Sequence, residues 1–181
     1  MAKIGGSGGI STAEADSLFY SNLRAENGWA RYFDTQYIEA SPFTVADAAT
    51  VALPNNSGQT IKSQLPDGVT DFYDSATGKI IAVNELDKFT FTYRFFAKNS
   101  AAANSYIKFG IDIGGTFGLI FPDSQLFIKG ADTEQAFNFV MPGYTGATFL
   151  ANGGIPTITS IGGTSSIYNI ELQVERTQKG R

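Results

Sequence analysis

The sequence contains no cysteine and no histidine. Zinc and copper sites built on thiolate or imidazole are therefore excluded. Ser-His-Asp and Cys-His nucleophilic catalysis are excluded with them. No disulfide framework is possible either, so packing must hold the chain together. Charge is sparse: Asp, Glu, Lys and Arg make up 17% of the residues, and the net charge is -4. No Lys/Arg cluster occurs. Neutralising phosphates needs such a cluster, so no direct nucleic-acid partner is expected. No run approaches the roughly 18 apolar residues of a membrane-spanning helix, so no membrane association is expected. The opening MAKIGGSGG lacks the apolar core of a signal peptide. Synthesis in the cytoplasm, without export by that route, is the expectation.

Aromatics and glycine are abundant, with 15 Phe, 8 Tyr and 20 Gly in 181 residues. That length supports one domain with a substantial core, plus an arm. Many aromatics and few charges imply that much surface is buried, including against other subunits.

The clearest pattern runs over residues 89–121. In residues 89–95 aromatic and polar side chains alternate, the period of a half-buried strand. Phe89, Phe91, Tyr93 and Phe95 share one face. A second alternating strand covers 107–113, Gly114-Gly115 reverses the chain, and 117–121 runs back. These three strands are expected to lie side by side in the middle of one antiparallel sheet.

Earlier in the chain, residues 1–10 read as a flexible leader. Ser11-Thr12-Ala13-Glu14 matches a capping box and predicts a helix reaching about Arg24. Leu18, Phe19 and Leu23 form an apolar stripe on it. That stripe either packs on its own domain or docks on a neighbour. Residues 1–28 are assigned to this N-terminal arm and 29–181 to a β-sandwich that folds without it. Trp29, Tyr32 and Tyr37 fall in an extended segment entering the sheet. Further strands are expected at 43–45 and 51–53, in a hairpin over 71–83 with Gly78 at its turn, at 125–129, and at 136–141, which Pro142-Gly143 should stop. A short strand is expected at 148–150. An edge strand should run over 155–161, because it contains Pro156. A long last strand over 167–175 should turn Tyr168, Ile170, Leu172 and Val174 inward. The pattern predicts an all-β fold, an antiparallel jelly-roll-like sandwich with an N-terminal extended or short-helical arm.

Four groups of residues invite chemistry. Residues 110–116, Gly-Ile-Asp-Ile-Gly-Gly-Thr, have the letters of the phosphate-binding turn of sugar kinases and actin-like ATPases. No helix is expected after the Gly-Gly pair, so a β-hairpin is the better reading. The carboxylates Asp71 with Asp74, and Glu171 with Glu175, have the makings of glycosidase pairs only if a cleft holds them together. As turn formers and solvated strand faces they do nothing of the kind. Asp67-Gly68 and Asp123-Ser124 offer oxygens to calcium, without a dense acidic loop. Trp29, Tyr32 and Tyr37 either stack on sugar rings or pack at a subunit boundary or in the core. No catalytic residue, cofactor or metal is assigned, and the chain is not expected to be an enzyme.

Several stretches together resemble a family of small virion proteins of tailed bacteriophages: 29–37, 65–71, 95–99, 112–121, 149–154 and 175–181. The resemblance covers roughly residues 29–181 and leaves the arm outside it. It implies a jelly-roll protein of the capsid decoration or cement type, trimeric and placed on the outer capsid surface. Its partners would be itself and the major capsid protein. A trimeric fibre or tailspike module that binds host-surface carbohydrate is the other role it implies. In either case Leu18, Phe19, Leu23, Trp29, Tyr32 and Tyr37 are the residues expected at a capsid or subunit interface.

Overall fold

The computed structural model describes residues 11–101 and 104–180; the leader expected to be flexible lies outside them. Helix α1 (Thr12–Glu26) comes first, followed by strands β1 (Gly28–Phe33), β2 (Phe43–Val45), β3 (Thr50–Ala52) and β4 (Gln59–Ile61). A short hairpin, β5 (Tyr73–Asp74) and β6 (Lys79–Ile80), leads to β7 (Lys88–Asn99), β8 (Tyr106–Asp112), β9 (Leu119–Leu126) and β10 (Gln135–Tyr144). Helix α2 (Ala147–Asn152), β11 (Ile155–Ile161) and β12 (Ser165–Gln178) complete the chain.

The strands form two main sheets. One has the order β10-β7-β12-β1-β4, with β2 pairing the start of β12; the other has the order β3-β11-β8-β9. Every pairing between these strands is antiparallel. The fold is an antiparallel jelly-roll-like sandwich with a short N-terminal helix. Alternation in β7 buries Phe89, Phe91, Tyr93, Phe95 and Ala97, as the sequence pattern requires. Phe137 and Phe139 of β10 and Phe109 of β8 complete an aromatic core. Ring centroids lie 4.7 Å apart for Tyr93–Phe109 and 5.1 Å for Phe109–Phe139. Offset and tilted rings at such spacings add to what area burial alone contributes.

β7 and β8 are not neighbours, contrary to expectation: they lie in opposite sheets. Alternation shows that each strand has one buried face. It does not say which strand lies alongside. Facing each other, the aromatic faces of β7 and β8 cover one another; side by side, they would need a third layer.

Proline misleads in three places. β10 continues through Pro142 and Gly143 to Tyr144, and the strands expected at 117–121 and 125–129 on either side of Pro122 are one strand, β9, that runs through it. Both are edge strands, where a missing N–H is tolerated. Pro156 lies in β11, which is flanked by β3 and β8 and so is not an edge. Its carbonyl accepts from Leu53 N–H at 2.8 Å, so its nitrogen faces the β3 side, just past the end of that short strand. No ladder bond is lost there.

Residues 148–150 are helical. α2 starts at Gly146 and stops at Gly153 (φ +71°), and of its side chains Phe149 is buried. One anchored side chain followed by glycine is a helical turn on a core, and no strand period competes with it. In β12, Asn169 (φ +53°) makes a bulge between Tyr168 and Glu171. Ile167, Ile170, Leu172 and Val174 therefore enter the core, while Tyr168 stacks on Phe96 with centroids 6.1 Å apart, outside that cluster. Tyr168 is buried, as expected, but not in the cluster that holds Ile170, because a bulge resets the side-chain period.

Candidate interaction surfaces

Helix α1 begins as its sequence demands. Ser11 N–H donates to Glu14 Oε2 at 2.8 Å, and Glu14 N–H donates to Ser11 Oγ at 3.2 Å. The Ser11 N–H, and then the Ser11 hydroxyl, hold the Glu14 carboxyl below its usual range. The helix runs to Glu26, two residues further than expected. Its apolar side chains are uncovered: Leu18, Phe19, Tyr20 and Leu23 are 53%, 60%, 66% and 40% exposed. Leaving such side chains in water is unfavourable.

The C-terminal end of α1 is clamped to the sandwich. Arg176, fully buried at the end of β12, donates from Nε to Glu26 O and from Nη2 to Ala25 O, both at 2.8 Å. Its guanidinium also faces the buried Asp87 carboxylate, Nη1 to Oδ2 at 3.7 Å. Asp87 accepts in turn from Gly180 N–H at 2.7 Å and Asn84 N–H at 3.0 Å. A cation on the last carbonyls of a helix satisfies groups that otherwise lack partners. Helix α1 is thus tied at its root and exposed along its apolar stripe.

At the same end of the sandwich, the edge strands β9 and β10 face each other and α2 covers part of the gap. They enclose an apolar groove of about 610 Å³, lined among others by Phe117, Ile120, Phe121, Tyr144 and Phe149. Phe121, in a left-handed backbone conformation (φ +52°), lays its ring on Gly143. Phe117 and Tyr144 on the groove are 69% and 66% exposed. Tyr144 also lines an adjoining hollow with Leu86, Lys88, Gln178, Lys179 and Gly180. That hollow borders Asp87 and therefore the root of α1.

The structure separates the residues named from sequence. Leu18, Phe19 and Leu23 stand on the exposed helix. Trp29 is half-buried beside a polar cleft of about 310 Å³ that includes Asn27, Ser63, Gln64 and Glu175. Tyr37 is partly buried against Phe43, with centroids 5.2 Å apart. Tyr32 is no surface residue: it is fully buried in the core. It lies on the inward phase of β1, between Arg31 and Phe33, and its hydroxyl donates to Asp71 and accepts from Phe72 N–H at 2.9 Å. Burial, and then Asp71, push that phenol far above its ordinary value. Sequence reasoning missed the groove. Its residues come from β9, β10, α2 and two connections, and no local pattern marks them as one surface.

The carboxylates have structural partners. Asp71 pairs with Lys62 as well as Tyr32. Asp74 accepts from Thr77 Oγ1 at 2.6 Å and Ala76 N–H at 2.9 Å, and the Thr77 bond lowers its pKa. Glu171 accepts from Arg31 Nε at 2.7 Å and lies 3.4 Å from Arg94 Nη1. Asp112 accepts from Gly114 N–H at 2.8 Å, and the Gly114-Gly115 turn returns the chain into β9 as a hairpin. Among the described residues, no group of three or more His, Cys, Asp or Glu is placed to hold a metal, and no helix is long and apolar enough to cross a membrane.

No protein-family model matches the sequence, and no curated protein sequence does. Solved structures do resemble the fold. Eiger, a TNF from S. frugiperda, aligns over 86% of this chain and 96% of its own, with a TM-score of 0.52 and 11% identity. The PRD1 vertex protein P5 aligns over 84% of this chain and 73% of its own, with a TM-score of 0.45 and 13% identity. PorU from Porphyromonas gingivalis aligns over 83% of this chain and 13% of its own, with a TM-score of 0.41 and 13% identity. The likeness to Eiger is one of fold.

Proposed function

We propose that the chain is a structural virion protein of a tailed bacteriophage: a decoration or cement protein, and not an enzyme, that binds the outer surface of the head as a homotrimer. One observation carries the reading. A single β-sandwich bears two uncovered apolar surfaces, the α1 stripe and the β9/β10 groove, far more than singly scattered apolar residues. Such surfaces fit permanent association with copies of the chain and with a shell. The sequence resemblance supplies the shell, with the major capsid protein as partner. Closed three-fold symmetry buries edge strands and multiplies weak contacts.

Co-sedimentation with undecorated heads tests it. The purified chain should pellet with them to a fixed stoichiometry, and light scattering should give three times the chain mass of 19.4 kDa. A chain that stays in the supernatant, and is scarce in purified particles by quantitative mass spectrometry, would oppose a cement role.

Trp29 favours a second reading, a fibre or tailspike module that binds carbohydrate. Its indole beside Asn27, Ser63, Gln64 and Glu175 combines an apolar plate with donors and acceptors. Binding to host surface glycans that is lost in Trp29→Ala, with only a few copies per particle, would favour this role.

A further inference from the structure

We infer that the β9/β10 groove is the seat of helix α1 from a second copy of the chain. The inference rests on the self-association part of the proposed function and names the contact that produces it. In one chain, plug and socket are both uncovered. Leu18, Phe19 and Leu23 on α1 are exposed, and so are Phe117 and Tyr144 on the groove. Among the described residues, therefore, nothing covers either surface.

The helix pattern agrees. Ala15, Leu18, Phe19 and Leu23 recur at intervals of three and four residues, so they share one side of the helix. A helix of 15 residues spans roughly 22 Å at its usual rise. An amphipathic helix laid into an apolar groove is a recurrent recognition mode. Charge is complementary as well. The helix sequence carries Glu14, Asp16 and Glu26 against one arginine, whereas the hollow adjoining the groove has Lys88 and Lys179 and no acid among its lining residues.

The Arg176 clamp sets the direction of exchange. It fixes the last turn of α1 beside Asp87, so the helix leaves the sandwich from a defined root. Plug and socket are different surfaces of the same chain, so the contact is head-to-tail, and such contacts form a ring when the rotation between copies closes.

The absence of cysteine makes the test clean. Phe19→Cys chains are co-expressed with chains carrying one of Phe117→Cys, Tyr144→Cys or Ala147→Cys, all three on the groove, and treated with a short bismaleimide. All four positions are exposed, so folding should survive. Covalent dimers joining the two kinds of chain are expected for at least one groove position. A Phe19→Asp, Leu23→Asp double variant should weaken self-association at least tenfold by sedimentation. The absence of a cross-link at all three positions overturns the inference. So does a cross-link formed only within a single chain bearing both cysteines. Light scattering on the untreated chain separates the two levels: an oligomer without the cross-link removes the helix seat and leaves self-association standing, whereas a monomer removes both.

Discussion

The ring of Phe121 occupies the space that any side chain on residue 143 would need: a Cβ there would stand 2.1 Å from Phe121 Cζ and 2.6 Å from Cε1. Phe121 belongs to the edge strand of one sheet and Gly143 to the edge strand of the other. One aromatic side chain laid on one glycine therefore joins the two sheets and floors the groove. Gly143→Ala should displace the ring and cost about 1–3 kcal/mol, the usual penalty of overpacking. Gly130→Ala is the control, since a Cβ added at residue 130 would meet nothing within 4 Å. Urea unfolding of both variants is the measurement; equal midpoints would show that the ring moves aside without cost.

Arg176→Met should be more damaging. It leaves Asp87 buried without its cation and strips the Ala25 and Glu26 carbonyls of their donor. Breaking one side of a buried pair costs about 3–5 kcal/mol. Thermal unfolding reads the loss, and hydrogen exchange should show the last turn of α1 opening first. Unchanged protection at residues 23–26 would mean that the clamp does not hold the helix.

Deleting residues 1–26 is a gentler change. It removes two carbonyl acceptors of Arg176 but keeps the pair with Asp87. The sandwich should still fold, less stable by about 1–3 kcal/mol, and should no longer pellet with undecorated heads. Because three weak contacts act together in a trimer, losing the helices that join subunits should abolish head binding. Full occupancy by the truncated chain would show that head binding does not depend on subunits joined through α1.

Alkaline pH should unfold the protein through its buried phenols. Burial raises Tyr73 from 10.0 to about 12, and holds Tyr32 and Tyr93 well above their ordinary value too. These groups keep their protons in the folded state when the unfolded chain has lost them. Their contribution to stability is therefore complete below about pH 10 and falls as pH rises through the folded values. The urea midpoint should drop steadily from about pH 10 upward, and Tyr73→Phe should flatten that drop. A midpoint independent of pH from 10 to 12 would contradict the burial of these hydroxyls.

No nucleotide should bind at residues 112–116. The Asp112 carboxylate already accepts from Gly114 N–H at 2.8 Å, and the turn leads into β9, so no helix N-terminus is there to meet a phosphate. Calorimetry with Mg-ATP should show no heat of binding. Micromolar affinity that disappears in Asp112→Ala would overturn the hairpin reading.

Local order was legible in the sequence wherever a short-range rule governs it. The alternation of β7 names its buried face, because successive strand residues point to opposite sides. The Ser11–Glu14 capping box marks the start of α1, because both bonds form within one turn. Gly78 (φ +69°) marks the β5–β6 turn, because that backbone favours a residue without Cβ. The exposed Leu18, Phe19 and Leu23 were legible for the same reason: they share one helix stripe within six consecutive residues.

Tertiary structure decided everything that depends on which strand lies beside which. Pro142 and Pro122 are harmless only because β10 and β9 are edges, and Pro156 only because β3 ends beside it. Tyr32 lies in the core because β1 runs between β12 and β4 with that residue on its inner phase. The groove has no sequence signature at all, since Phe117, Phe121, Tyr144 and Phe149 meet only when two sheet edges face each other. Side-chain period is a property of one strand and survives in the letters. Strand adjacency is set by the burial of two aromatic faces against each other, a long-range energy that no window of sequence contains.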